Sequence, residues 1–256
     1  MQHLDAQQVR QNAARILEEV AREAARAGRD PAEIRVMAVT KTVDPQLVNE
    51  AIAAGIHLLG ENKAQELCAK YDAYQKEGTE IHFIGHLQTN KVRQIVDKVS
   101  MIHSVDSLRL AQEIDRQCQK LDKVMPVLLE VNIGREESKG GVLPEQLEEL
   151  LGQLTPLSYI QVRGLMAIPP VCEKPEEIDQ YFSQMQQLFI DIKAKKLDNI
   201  NMDCLSMGMS GDYLRAVRFG SNILRIGTAL FGWRPAAQPQ AAPDQNEHKG
   251  VSCHGL

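Results

Sequence analysis

The sequence predicts an α/β protein whose fold class is the (β/α)8 TIM barrel, with one extra helix at the N-terminus. Three observations predict it. Short apolar runs alternate with amphipathic stretches along most of the chain, and strands that alternate with helices build a parallel sheet. Eight such units fit into about 200 residues, the span of that barrel. No G-x-G-x-x-G follows the first strand, so the fingerprint of the rival open doubly wound sheet is missing.

Residues 5–27 carry Val9, Ala13, Ile16, Leu17, Val20 and Ala24 at helical spacing, and Gly28 supplies a stop. This helix precedes the first strand, so it is expected on the outside of the barrel. The run 34–39 then reads as a buried strand. Asp44 and Pro45 form an N-cap and first helical residue for a helix bearing Leu47, Val48, Ala51 and Ile52. Further strands are expected at 56–59, 81–85, 101–104, 126–132, 160–168, 202–207 and 223–227. Helices are expected at 88–99, 107–121, 144–154 and 175–197, and again after Asp212. The expected division is one barrel over 1–234. Residues 235–256, rich in Pro, Ala and Gln, read as a disordered tail.

Composition narrows the function classes. Of 256 residues, 43% are hydrophobic, 25% charged and only 4% aromatic, which fits a soluble protein with an aliphatic core. A net charge of −5 leaves no excess of Lys and Arg for nucleic acid, while small anions need only amides and one or two cations. Cys68, Cys118, Cys172, Cys204 and Cys253 form no C-x-x-C pair, so neither a disulfide scaffold nor a zinc site is indicated. His82 and His86, four residues apart, and His57 and His103 on adjoining strands read as strand and loop histidines, since no carboxylate completes a metal set. No apolar run approaches the ~18 residues of a membrane span, and the N-terminus lacks a signal-peptide block. The expected compartment is the cytoplasm.

Active sites of such barrels sit at the C-terminal ends of the strands. The first strand ends in Ala38-Val39-Thr40-Lys41. Partial burial at that mouth favours the neutral form of an amine, the form that makes a Schiff base. Alone, a lysine there is far more often an ordinary solvated strand end, so partners are needed. The seventh strand runs into Ser206-Met207-Gly208-Met209-Ser210-Gly211-Asp212 and the eighth into Gly227-Thr228-Ala229. Loops after strands seven and eight are the recurrent phosphate site of this fold, although Gly and Ser also suit plain turns. Arg225 shares a strand face with Ile223 and Gly227; pointing inward, it would lie across the barrel from Lys41. An amine, a phosphate cradle and an interior cation are the three things pyridoxal 5′-phosphate (PLP) requires.

The motifs AVTK at 38–41, GEN at 60–62, HFIGHLQTNK at 82–91, SKGG at 138–141, GLMAIP at 164–169, LSMGMSGD at 205–212 and RIGTALFG at 225–232 resemble those of the pyridoxal phosphate homeostasis (YggS/PROSC) family. The barrel of that family resembles the N-terminal domain of alanine racemase. The resemblance spans 5–234. It implies Lys41 as the Schiff-base lysine. It implies Ser206, Ser210, Gly227 and Thr228, with Met207 and Gly208 in the same loop, as the phosphate site. Arg225 is implied opposite the pyridine nitrogen, and Asn62, His86 and Met166 along the pocket. Lys91 and Lys139 match family lysines without an assigned role.

A cation opposite the ring nitrogen disfavours its protonation and weakens the ring as an electron sink. The related racemases, by the same resemblance, take a second base from a separate β domain, for which the chain has no room beyond Trp233. Tyr71, Tyr74, Tyr159, Tyr181 and Tyr213 fall in or beside expected helices and turns. The expectation is a protein of intracellular vitamin B6 homeostasis that binds PLP and supplies it to apo PLP-dependent enzymes, without strong turnover. A slow amino-acid racemase is the alternative, and a lysine-dependent aldolase a more distant one. A monomer is expected, with a dimer as the other possibility.

Overall fold

The structure is a computed structural model and describes residues 5–233. The expected tail lies outside them. Strands β1 (Arg35–Val39), β2 (Leu58–Glu61), β3 (Glu80–Phe83), β4 (Met101–Val105), β5 (Met125–Val131), β6 (Ile160–Ala167), β7 (Ile200–Ser206) and β8 (Ile223–Ile226) close into a barrel in sequence order. All neighbours are parallel, and β8 closes on β1. The helices are α1 (Ala6–Arg26), α2 (Pro45–Ala53), α3 (Ala64–Lys70), α4 (Val92–Ile95), α5 (Leu108–Gln119), α6 (Leu147–Leu154), α7 (Pro175–Lys195), α8 (Tyr213–Arg218) and α9 (Thr228–Phe231).

Local chemistry explains the first two helix starts. The Asp5 carboxylate accepts from the Gln8 amide at 2.8 Å to open α1, and Asp44 does the same for Gln46 at 2.8 Å ahead of Pro45 in α2. As expected, α1 lies outside the barrel. It packs on α2, α8 and α9, over the seam where the last unit meets the first. Asn12 donates to Leu230 O at 3.0 Å, and the buried Glu23 accepts from Arg218 at 2.6 Å.

Three expectations change. The second strand begins two residues later than its apolar run, because the Ile56 amide still bonds back to Ala51 O of α2 at 3.0 Å. Gly60 and Glu61 therefore lie within β2. Between β2 and β3 stands α3, which the reading of the sequence did not place. The expected helix at 88–99 is shorter, a 3-10 turn at Thr89–Lys91 followed by α4.

Side chains sort by strand alternation. Met37, Leu58, Ile84 and Ile223 form one cluster in the lumen and Met101, Leu128 and Met166 another, with Cys204 against both. The large core between sheet and helices holds the opposite face, including Ala38, Leu59, Leu205 and Leu224. Gly164 on β6 has φ +150°, and a Cβ there would lie 1.7 Å from Cys204 O on β7. That backbone atom cannot yield without breaking the β6–β7 pairing. Gly164→Ala is expected to cost about 3 kcal/mol or more, by analogy with overpacking and strained-backbone penalties, checked by urea denaturation of the purified variant.

Candidate functional site at the barrel mouth

Lys41 follows β1 by two residues and is exposed, which corrects the expected partial burial. Its loop is rigidly held. The Thr40 amide donates to Gly60 O at 3.0 Å and its hydroxyl to Glu61 at 2.7 Å. Thr42 sits at φ +59°, a costly region for a β-branched residue. Its amide is tied to the Glu66 carboxylate, which also pairs with Lys70, and Lys70 donates to Thr40 O at 3.1 Å. Both Glu66 and Lys70 belong to α3, so the unforeseen helix clamps the lysine loop.

Beneath it, Glu61 is fully buried, bonded to Thr40 and to the Tyr74 hydroxyl, with Oε2 unpartnered. Burial pushes its carboxyl above the usual range, against the pull of Tyr74 and Thr40. Among the tyrosines considered as racemase bases, Tyr74 is thus committed to Glu61, and Tyr213 to Glu19 on α1.

Arg225 points into the lumen and is buried. It pairs in register with Met37 of β1. This corrects the expectation that it faces Lys41 across the barrel: a closed sheet makes its first and last strands neighbours. Nη1 donates to Ser206 O and Oγ, both at 2.7 Å, and Nη2 to Ala167 O at 2.8 Å. Three of five N–H donors are spent; the Nε hydrogen and one Nη2 hydrogen remain for a ligand. Burial lowers its pKa to about 10, with Glu130 and Asp212 opposing, so the group stays cationic at neutral pH.

The loops after β7 and β8 converge. The Gly227 and Ala229 amides donate to Ser210 Oγ at 3.2 and 3.1 Å. Amides that meet on one oxygen form the kind of concavity a phosphate oxygen occupies. Thr228 is exposed beside them. Gly208 turns the chain out of β7 at φ +92°, where a Cβ would meet Ala216 Cβ at 2.6 Å, and its carbonyl accepts from the Arg225 amide at 3.0 Å.

The remaining expected residues divide. Met207 packs in the sheet–helix core, so its side chain does not reach the mouth, a correction that follows from alternation after Ser206. Ser206 is in the lumen, its hydroxyl engaged by Arg225 and His103. Met166 fills the lumen with Met101 and Leu128. Asn62, His86 and Lys91 line a cleft of about 160 Å³ at the ends of β2 and β3, and Asn62 Oδ1 is buried without a partner. Lys139 is exposed in the loop after β5.

Sequence reasoning missed Glu130 and Asp106 and read His103 and His82 only as strand histidines. Burial raises the Glu130 carboxyl, with Asp106 adding to it and Arg225 opposing. Gly140 of the SKGG loop lies over both acids. In the lumen, His103 Nδ1 lies 3.1 Å from Ser206 Oγ, His103 Nε2 lies 2.9 Å from His82 Nδ1, and His82 Nε2 lies 3.2 Å from Glu80. Strand parity with Ile84 and Met101 was the available signal for these histidines.

Burial holds both imidazoles below their ordinary value. Glu80 opposes this at His82, Arg35 reinforces it there, and the charges of His82, Arg225 and Arg35 reinforce it at His103. An unfolded chain takes up these protons first, so folding stability falls as pH drops below 6.5, by at most about 1.4 kcal/mol per pH unit for each histidine. The carboxyls of Glu61 and Glu130, pushed up by burial, work in the opposite sense above about pH 4.5. The comparison that isolates the histidines is therefore with His103→Gln. Its stability deficit against wild type is expected to shrink between pH 7.5 and 5.5 in urea denaturation; parallel profiles would contradict the assignment.

Residues 5–235 match the family described as alanine racemase, N-terminal domain. The pyridoxal phosphate homeostasis protein of Aquifex aeolicus is 43% identical over 220 residues, 86% of this chain and 96% of that protein. The structure of PipY of Synechococcus elongatus with PLP bound superposes with a TM-score of 0.73 at 33% identity, covering 83% of this chain and all of that one. Alanine racemase from Corynebacterium glutamicum shares the fold, with a TM-score of 0.68 at 14% identity over 93% of this chain and 63% of its own.

Proposed function

The chain belongs to the pyridoxal phosphate homeostasis proteins, within the alanine racemase N-terminal-domain family, and on that premise we propose that it binds PLP at the barrel mouth and supplies it to apo PLP-dependent enzymes. The observation that carries this reading is Arg225: a buried cation on the strand beside that of Lys41, with two donors left over. The orphaned Asn62 Oδ1 and the amides meeting at Ser210 suit the same group. Bound there, PLP supplies an aldehyde and an electron-withdrawing ring. Lys41 would supply the amine for that aldehyde. Ser210 and Thr228, with the Gly227 and Ala229 amides that here donate to Ser210 Oγ, would hold the phosphate, and Arg225 would stand at the ring nitrogen.

Weak turnover follows from the same residues. A guanidinium that stays charged at neutral pH keeps the nitrogen opposite it unprotonated. The Tyr74 and Tyr213 hydroxyls are hydrogen-bonded to carboxylates and pushed up in pKa by burial, Tyr213 to about 12, so neither is suited to take a substrate proton. No helix among the described residues is long and apolar enough to cross a membrane; on this reading the protein acts in the cytoplasm, as a single barrel and a monomer.

The test is titration of the purified protein with PLP, followed by visible absorption, borohydride reduction and peptide mapping. One equivalent fixed on Lys41 is expected, with transfer of unreduced PLP to an apo-enzyme. A protein that takes up no PLP would refute binding. Rapid α-hydrogen exchange into several amino acids in deuterated water would refute the carrier role.

A further inference from the structure

The lumen contains a hydrogen-bonded chain that spans the barrel from Arg225, toward the mouth, to Glu80 at the start of β3. Its direction follows from its ends. Glu80 is a carboxylate, held down to about 2 by the His82 hydrogen bond and by Arg35, and so only accepts. His82 must therefore carry its proton on Nε2. Being neutral and fully buried, it leaves Nδ1 bare. His103 must then place its own proton on Nε2, toward His82, and keep Nδ1 bare. Only the Ser206 hydroxyl can fill that contact, so its single hydrogen points at His103. The Ser206 lone pairs are left facing Arg225, which can only donate.

We infer that His103 and His82 are positioning residues for the ring end of the cofactor: they fix the Ser206 hydrogen away from Arg225, and so fix the guanidinium. Without His103, the Ser206 hydrogen can turn toward Arg225, where it repels an Nη1 hydrogen and removes one of three anchors. The groups facing this chain are Arg35 and Glu80 at one end and Arg225 at the other, with Glu130 and Asp212 acting on Arg225. The tautomer assignment stands on this chain alone; its link to the cofactor rests on the PLP reading above.

Two measurements separate these layers. In PLP-free protein labelled with 15N-histidine, long-range 1H–15N spectra are expected to show both imidazoles neutral and protonated on Nε2 at pH 7. Ser206→Ala should move the His103 Nδ1 resonance toward the position of an unbonded nitrogen. An Nδ1–H tautomer at either histidine, or no response to Ser206→Ala, would overturn the relay. In PLP titrations, His103→Phe is expected to bind about tenfold more weakly, the effect of one lost charge-assisted hydrogen bond. His103→Gln, whose amide can accept from Ser206 and donate to His82, should stay within about threefold of wild type. Equal affinity for the Phe variant would overturn the positioning role, whereas failure of wild type to bind PLP would overturn the functional reading only. If His103→Phe does not fold, Glu80→Ala serves from the partly exposed rim. There, loss of the pure Nε2–H state at His82 supports the relay and an unchanged spectrum opposes it.

Discussion

Lys41→Ala is expected to abolish the borohydride-fixable adduct and to weaken PLP retention by about 100-fold or more. Without the amine no covalent bond to the aldehyde can form, and binding falls back on the phosphate site and Arg225. Two or three charge-assisted hydrogen bonds of about 1.5–3 kcal/mol each leave a residual affinity, not zero. The visible spectrum of the variant should then be that of free aldehyde. The fold should survive, because Lys41 is exposed, where a polar contact contributes little, and its loop is held by Thr40, Glu66 and Lys70, none of which is altered. A Lys41→Ala protein that still fixes one equivalent of PLP on reduction would show that another lysine is used, and Lys91 beside the Asn62 cleft and Lys139 on the SKGG loop are the ones to map first.

Arg225→Ala should damage both stability and binding, and stability more than any other change at the mouth. It leaves Ser206 O, Ser206 Oγ and Ala167 O without their donor inside the barrel, and it leaves Glu130 without the cation that offsets its burial. Removing one member of a buried charged set commonly costs about 3–5 kcal/mol. For a domain of this size that is a fall in Tm of roughly 10 °C, readable by calorimetry. Arg225→Lys retains the charge but cannot fork to strands β6 and β7 together, so it is expected to recover part of the stability and little of the PLP affinity. Wild-type stability in Arg225→Ala would mean that the lumen bonds contribute nothing net.

Much of this protein is legible along the chain. Alternating apolar runs and amphipathic stretches, the Asp44–Pro45 helix start and the spacing of eight units specify a closed parallel barrel, because each signal is local and repeats. Lys41, Ser210, Gly227 and Thr228 follow strand ends and Arg225 lies within β8, so position along the strands was enough to single them out as candidates for the mouth. What remained hidden depends on contacts between residues distant in sequence. Helix α3 has seven residues and a weak apolar stripe, yet its Glu66 and Lys70 hold the loop that carries Lys41. Strand closure put Arg225 beside the Lys41 strand and not opposite it. Alternation turned Met207 into the core while Ser206 entered the lumen. His82 and His103 read as ordinary strand histidines until the barrel placed their rings 2.9 Å apart, nitrogen to nitrogen, between a carboxylate and a guanidinium. By itself the sequence determined the fold, and with it the residue types at the mouth, since hydrophobic period and turn chemistry are local. The partners of each polar group were decided by tertiary structure alone, because hydrogen-bond direction in a buried lumen is set by what stands at both ends of the chain of bonds.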